Sequence, residues 1–301
     1  MAFTDLAAPN KTRWQMVGAV AFVVLILLGP HNILAADPLF ANLQKRLIAD
    51  GLDADLVQSI YRHPQTKLEC EVVAGNLVRS EAALNYDQFL SPYSVRKAKR
   101  YLERYERTLG EAERDFGVEP EVVVAVLMVE TALGVYPGKY RTINVLSTMA
   151  ASEDHEIREQ ILAGLTAEQR KMQSVEVISE RLKTRAARSY RELKALITYV
   201  SNNAIDPFAI VGSSEGAIGI PQFLPSNIEQ YGKDGDGDGR IDLFNHHDAI
   251  ASVAFYLRAH HWGRAKSAEG KKRVLFHYNR STYYVDTVYS LALRLNGNKP
   301  L

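Results

Sequence analysis

The chain has 301 residues, 36 Lys plus Arg against 35 Asp plus Glu for a formal net charge of +1, 47% hydrophobic residues and one cysteine. This is a globular composition with enough length for a sizeable core. It excludes a disordered chain, an overall positive field to hold nucleic acid, an internal disulfide and a cysteine-built zinc site.

Lys11 and Arg13 precede an apolar run over 14–28, closed by Gly29 and Pro30, with the small residues Leu34, Ala35 and Ala36 beyond it. Basic flank, apolar stretch and small-residue exit describe a secretory signal over residues 1–36. The run is shorter than the ~20 residues of a bilayer span. An uncleaved N-terminal membrane anchor stays open, as does a plain core helix.

The rest reads as helical. Asp37-Pro38 can open a helix carrying Leu39, Phe40, Leu43, Leu47 and Ile48, with Gly51 placed to end it. Asp53 can cap a second helix with Leu56, Val57 and Ile60 on its apolar side. Cys70 reads as a buried free thiol. Residues 94–116 read as one long charged helix, with Tyr101, Leu102, Tyr105 and Leu109 on one side and Arg96, Lys97, Lys99 and Arg100 on a solvated face.

Pro120 opens the most apolar helix, continuous from Val122 to Val129 and followed by Glu130-Thr131-Ala132-Leu133-Gly134. A helix that is apolar all round is buried. Glu130 therefore lies near the end of a core helix, with Gly134 as its stop. Desolvation and the negative helix end both disfavour the carboxylate, so Glu130 can stay protonated and act as a general acid. A glutamate paired with a buried arginine, or one merely emerging at the helix end, is the alternative.

Residues 153–188 are highly charged and fit one or two exposed helices, or a protruding lobe. Residues 190–200 regain an apolar face through Leu193, Leu196, Ile197 and Val200. Two further amphipathic helices are expected over 248–257 and 284–295. No long alternating strand, repeat or linker is present, so the fold class is all-α.

The strip from Gly212 to Ser226 is rich in small residues, which allow close backbone approach. It lacks the lysine of a phosphate loop. Gln222 within it is either a satisfied core amide or a substrate-binding group. Asp234-Gly-Asp236-Gly-Asp238-Gly239-Arg240-Ile241-Asp242 then follows the spacing of an EF-hand loop. The expected cation ligands are Asp234, Asp236, Asp238 and the Arg240 carbonyl. Position twelve is Asn245 where such loops carry a glutamate, and Asp248 can supply the missing carboxylate. A metal-free Gly/Asp surface loop is the alternative. Near the C-terminus, Tyr278, Tyr283 and Tyr284 surround Asn279, a grouping that suits sugar rings or an ordinary core.

Taken in this order, Val129-Glu130-Thr131, Gly212-Ser213 with Gly216-Ala217-Ile218-Gly219 and Gln222-Phe223, the Asp234–Asp248 loop, and Tyr278-Asn279-Arg280-Ser281-Thr282 with Tyr284 resemble the membrane-bound lytic murein transglycosylase B family. The resemblance covers about 111–289. It implies a lysozyme-like fold over 111–301 with a charged helical insert at about 151–188, and an added helical region over 37–110 packed on that core. It implies cleavage of the MurNAc–GlcNAc bond of peptidoglycan without water, giving 1,6-anhydromuramoyl ends, with Glu130 as acid and then base. It also implies substrate contacts from Ser213, Gln222, Phe223, Tyr256, Tyr278, Asn279 and Tyr284. A structural Ca2+ is implied on Asp234, Asp236, Asp238, Arg240 and Asp248, with no organic cofactor. The partners implied are glycan strands, and the location is the periplasm, with inner-membrane anchoring as the alternative. No motif identifies a cell-wall synthesis or division protein as a partner.

The chain departs from that family's pattern in several places, among them a 153–184 stretch longer than expected and a short 262–278 section without the β-rich insert of some relatives. Ala132-Leu133-Gly134 replaces the Arg-Trp-Gly frequent in relatives, and the arginine pair for the peptide stem has only Arg185 and Arg188 as candidates. A muramidase on the same scaffold, a catalytically silent peptidoglycan-binding protein and a calcium-responsive interaction protein are the rival readings.

Overall fold

The structure is a computed structural model, and it describes residues 40–78 and 85–299. The expected signal segment and the Asp37-Pro38 helix start lie outside these residues. Among the described residues no helix is long and apolar enough to cross a membrane.

The all-α expectation holds, with a single two-stranded ladder of two residues per strand among the described residues. Helix α1 spans Ala41–Ala49, and Gly51 beyond it takes a φ of 92°. Helix α2 spans Ala54–Arg62, and Asp53 caps it by accepting from the Leu56 amide at 2.7 Å. Helix α3 covers Cys70–Val78. Cys70 is half-buried, and burial pushes its thiol pKa up. A 3₁₀ segment, Tyr86–Leu90, follows.

The expected long helix over 94–116 is two helices, α4 (Pro92–Arg104) and α5 (Glu106–Phe116). Ser91 and Pro92 start α4 two residues earlier than expected, by a side-chain cap and a proline in the first turn. The break falls at Tyr105, whose φ and ψ of −111° and 24° leave the helix. Its ring tilts on Tyr101 at 4.5 Å and stacks on His246 at 5.0 Å between centroids. The chain bends there because the aromatic side packs on a distant element.

Helix α6 is Pro120–Thr131, and strand β1 (Tyr140–Arg141) leads into α7 (Thr142–Ala151). Every residue of α7 is buried. Nothing in its mixed apolar and hydroxyl sequence marks it as central. Several of its polar groups are met by neighbours: the Ser147 and Tyr61 hydroxyls meet at 2.8 Å, and Asn144 donates to the Gln65 carbonyl at 2.9 Å, while the buried Thr142 hydroxyl has no partner among the described residues.

The charged stretch is three helices where one or two were expected: α8 (His155–Ala163), α9 (Ala167–Met172) and α10 (Val175–Asn202). The last absorbs the helix expected over 190–200. Its buried positions Ile178, Leu182, Ala186, Tyr190, Leu193, Leu196, Ile197 and Val200 form one stripe at helical spacing. That stripe packs on α7. Strand β2 (Val211–Gly212) pairs antiparallel with β1. Helices α11 (Pro225–Tyr231), α12 (His246–Ala259), α13 (Ala268–Tyr278) and α14 (Thr282–Leu295) complete the fold. Helix α6 lies between α14, α4 and α12, and α5 packs on α12.

Candidate active site

Glu130 is the penultimate residue of α6, behind eight consecutive buried residues, Val122 to Val129. The helix stops at Ala132, two residues before the glycine expected to end it. Ala132, Leu133 and Gly134 all take left-handed conformations, with φ of 50°, 63° and 84°. The Leu133 amide reaches back to the Leu127 carbonyl at 3.0 Å, which closes the helix end.

The half-buried Glu130 opens on a cleft of about 310 Å³. Its walls include Asn279 and Tyr284, together with Asn85, Tyr86, Gln88 and Phe89. Among the described lining residues Glu130 is the one carboxylic acid. Protein atoms crowd its carboxyl, and this burial pushes its pKa up to about 8. The Tyr284 hydroxyl acts in the opposite direction and is outweighed. That hydroxyl is buried and meets no partner at full hydrogen-bond geometry, but it interacts with the Glu130 carboxyl. Burial first, and Glu130 second, push the Tyr278 and Tyr284 hydroxyls well above their ordinary pKa. The two rings stack with planes 8° apart. Among the described residues no arginine pairs with Glu130.

The Gly-rich strip folds back on itself, with the Ile218 and Phe223 amides and carbonyls exchanged at 2.8 and 3.1 Å. Gly219 has a φ of 75°, and a Cβ there would sit 2.4 Å from that of Leu243, so only glycine fits against the exit of the acidic loop. Ser213 Oγ accepts from the amides of Glu215 and Ala217 at 3.2 and 3.1 Å. Gln222 donates both protons of Nε2 within the protein, to the Pro137 and Gly219 carbonyls at 2.9 Å each. The donor half of that amide is therefore spent on the fold. Tyr278 donates to the Pro221 carbonyl at 2.6 Å and ties the strip to the cleft. Arg185 pairs with Glu215 of the strip at 3.4 Å.

The structure thus brings Glu130, Asn279 and Tyr284 into one cleft, with Tyr278 stacked on Tyr284. Phe223 and Tyr256 are 1% and 6% exposed and pack on Tyr278, so they form an aromatic layer with little open surface. Ser213 and Gln222 lie on the strip, outside the cleft lining. Sequence reasoning missed the wall made by residues 85–89. The aromatic and amide side chains of Tyr86, Gln88 and Phe89 were the available signal, but no spacing rule connects them to Glu130.

In the acidic loop, carboxylate oxygens of Asp234, Asp236 and Asp248 lie within 4.8 Å of one another. Asp248 is 1% exposed, and burial, with the charges of Asp236 and Asp234, raises its pKa. Asp238 is outside this group of three, and its Oδ1 accepts from the Arg240 amide at 2.8 Å. Arg240 is on the exposed outer turn. Three converging hard oxygens, one carboxylate being buried, fit a divalent cation.

Fold and site together define a lysozyme-like lytic transglycosylase scaffold. The chain belongs to the Transglycosylase SLT domain family, which it matches over residues 35–271. It is 31% identical over 175 residues to membrane-bound lytic murein transglycosylase B of Escherichia coli (strain K12), a match covering 58% of this chain and 40% of that protein. It superposes on E. coli lytic transglycosylase Slt35 in complex with calcium with a TM-score of 0.69 and 23% identity, over 88% of this chain and 94% of that one. It also superposes on SltB3 of Pseudomonas aeruginosa in complex with NAG-anhNAM-pentapeptide, with a TM-score of 0.65 and 20% identity, over 85% and 78% of the two chains. At these identities the structural likeness concerns the fold.

Proposed function

We propose that the protein is an exported lytic transglycosylase that cuts the MurNAc–GlcNAc bond of peptidoglycan. The observation that carries this is an acid held protonated near neutral pH at the end of a buried helix, alone among the described residues of its cleft. Glu130 donates its proton to the glycosidic oxygen as the bond from muramoyl C1 breaks. The resulting carboxylate then removes the proton from the C6 hydroxyl as O6 bonds to C1. One group serves both proton transfers, no water is consumed, and the carboxyl returns to its protonated state. The substrate's acetamido group stabilises the cationic centre, which removes the need for a second carboxylate. Asn279 and Tyr284 line the cleft beside the acid and orient the sugar. Ser213 and Gln222 extend this contact along the strip, while Phe223, Tyr256 and Tyr278 support it from behind.

Mass spectrometry of digested sacculi tests the chemistry. Muropeptides ending in 1,6-anhydro-sugars are expected, whereas exclusively reducing ends would assign a hydrolase. The E. coli relative's name supports attachment to a membrane, and residues 1–36 would supply the signal or anchor.

Asp234, Asp236 and Asp248 would hold a calcium ion, with Asp238 and the Arg240 carbonyl completing the set. The ion would supply charge neutralisation that pins the loop. At about a hundredfold excess over its Kd, calcium should raise stability by about 2.7 kcal/mol and the melting temperature by roughly 5 °C. Asp248→Asn should abolish that shift. Calorimetry with calcium and with chelator checks both results, and equal melting in the two buffers refutes the bound ion.

A further inference from the structure

Thr131, directly after the candidate acid, is 1% exposed. A threonine within a helix ordinarily bonds the carbonyl four residues back. Here that carbonyl, of Leu127, is 3.5 Å away, and the hydroxyl makes its shorter bond to the Ile220 carbonyl at 2.8 Å. The same oxygen accepts from the Gly134 amide at 2.9 Å, and the Thr131 carbonyl accepts from the Tyr136 amide at 2.9 Å. On the far side of Ile220, its own amide donates to the Leu243 carbonyl at 2.8 Å. The neighbouring Asp242 amide donates to Asp248 at 2.6 Å. One hydroxyl therefore stands where the end of the acid's helix meets the Gly-rich strip, and the strip in turn is bonded to the acidic loop.

The turn it holds is strained. Ala132 and Leu133 are successive non-glycine residues at positive φ. Such residues persist only where the surroundings over-determine them. Lys97 from α4 donates to the Ala132 carbonyl at 2.9 Å, and the Leu133 side chain is buried. Backbone bonds close the helix end, and the Thr131 hydroxyl adds a side-chain tie from the turn to the strip.

We propose that Thr131 is a positioning residue for Glu130: its hydroxyl locks the left-handed turn to the Gly-rich strip and so sets where the Glu130 carboxyl enters the cleft. It acts through the backbone and touches no substrate. The Tyr284 hydroxyl interacts with the carboxyl, Tyr278 feels its charge while donating to the Pro221 carbonyl, Tyr86 lines the same cleft, and Lys97 is engaged at Ala132. Substituting Thr131 alters none of them chemically.

Thr131→Val keeps the side-chain shape and deletes the hydroxyl, whereas Thr131→Ser keeps the hydroxyl. The kinetic arm rests on the proposed wall-cleaving activity, and the titration arm does not. In Thr131→Val, kcat should fall about 10- to 100-fold with KM within about twofold, because small misplacements of an acid are costly. Thr131→Ser should stay within about threefold of the parent. The Glu130 carboxyl, followed by 13C NMR and assigned with Glu130→Gln, should titrate at least about half a pH unit lower in Thr131→Val, as a loosened carboxyl gains water. Where Thr131→Val does not fold, Thr131→Ala carries the same comparison. A folded hydroxyl-less variant with unmoved titration and parental kcat overturns the proposal, as does equal loss in the Ser and Val forms. If the parent itself cuts no wall, the lytic reading fails while the titration still decides the role of Thr131.

Discussion

Glu130→Gln is expected to reduce release of muropeptides from intact sacculi by at least about 10³-fold. The substitution is nearly isosteric and leaves the helix end undisturbed. The amide has no proton to give at neutral pH and no basicity to take one. In the proposed mechanism both proton transfers pass through this carboxyl, and none of the other described residues lining the cleft is an acid. The loss should therefore fall on kcat, with binding of wall fragments retained. Chromatography of soluble muropeptides, paired with a sacculus pull-down, measures the two separately. Comparable release by both proteins would remove Glu130 from the mechanism.

The same substitution should stabilise the fold, and by an amount that grows with pH. Below about pH 4.5 the carboxyl is protonated in both the folded and unfolded chain, and its burial costs no ionisation energy. Between there and about pH 8 the unfolded chain releases the proton while the folded protein keeps it. Stability of the parent is thus fully present below the lower value, falls as pH rises, and levels off above the upper one. At pH 7 the difference is on the order of 2 kcal/mol after allowing for the carboxyl's partial exposure. Glu130→Gln should melt several degrees above the parent at pH 7 and together with it near pH 4. Melting curves across that range check the result. A constant offset at all pH values would mean that the carboxyl is not held protonated. Together the two results describe one trade: the desolvation that makes the acid useful lowers the stability of the fold that holds it.

Much of this architecture was legible before any fold was known. The cap at Asp53, the glycine at 51 and the proline at 120 act within a few residues of themselves, so α2, the end of α1 and the start of α6 could be read directly. The all-apolar run before Glu130 marked a buried helix, and the Asp234–Asp248 spacing marked a convergent acidic loop. Legibility failed where the deciding contact was remote. Tyr105 continues a helical pattern in sequence, but it breaks the helix because His246 offers its ring a stacking partner. Helix α7 carries Thr, Asn and Ser in a fully buried position, and only the remote Tyr61, Gln65 and Glu69 explain how Ser147, Asn144 and Thr148 are accommodated.

By itself, then, the sequence determined the helices marked by local caps and apolar faces, which acid ends a core helix and which aspartates share a loop, because backbone geometry and side-chain periodicity are local. The tertiary structure alone decided that Asn85, Tyr86, Gln88, Phe89, Asn279 and Tyr284 line the cleft beside Glu130, that burial pushes its pKa up to about 8, and that Thr131 binds across to Ile220. Desolvation and hydrogen-bond satisfaction depend on which atoms fill the surrounding space, and at Glu130 those atoms come from residues more than forty positions before it and about a hundred and fifty after it.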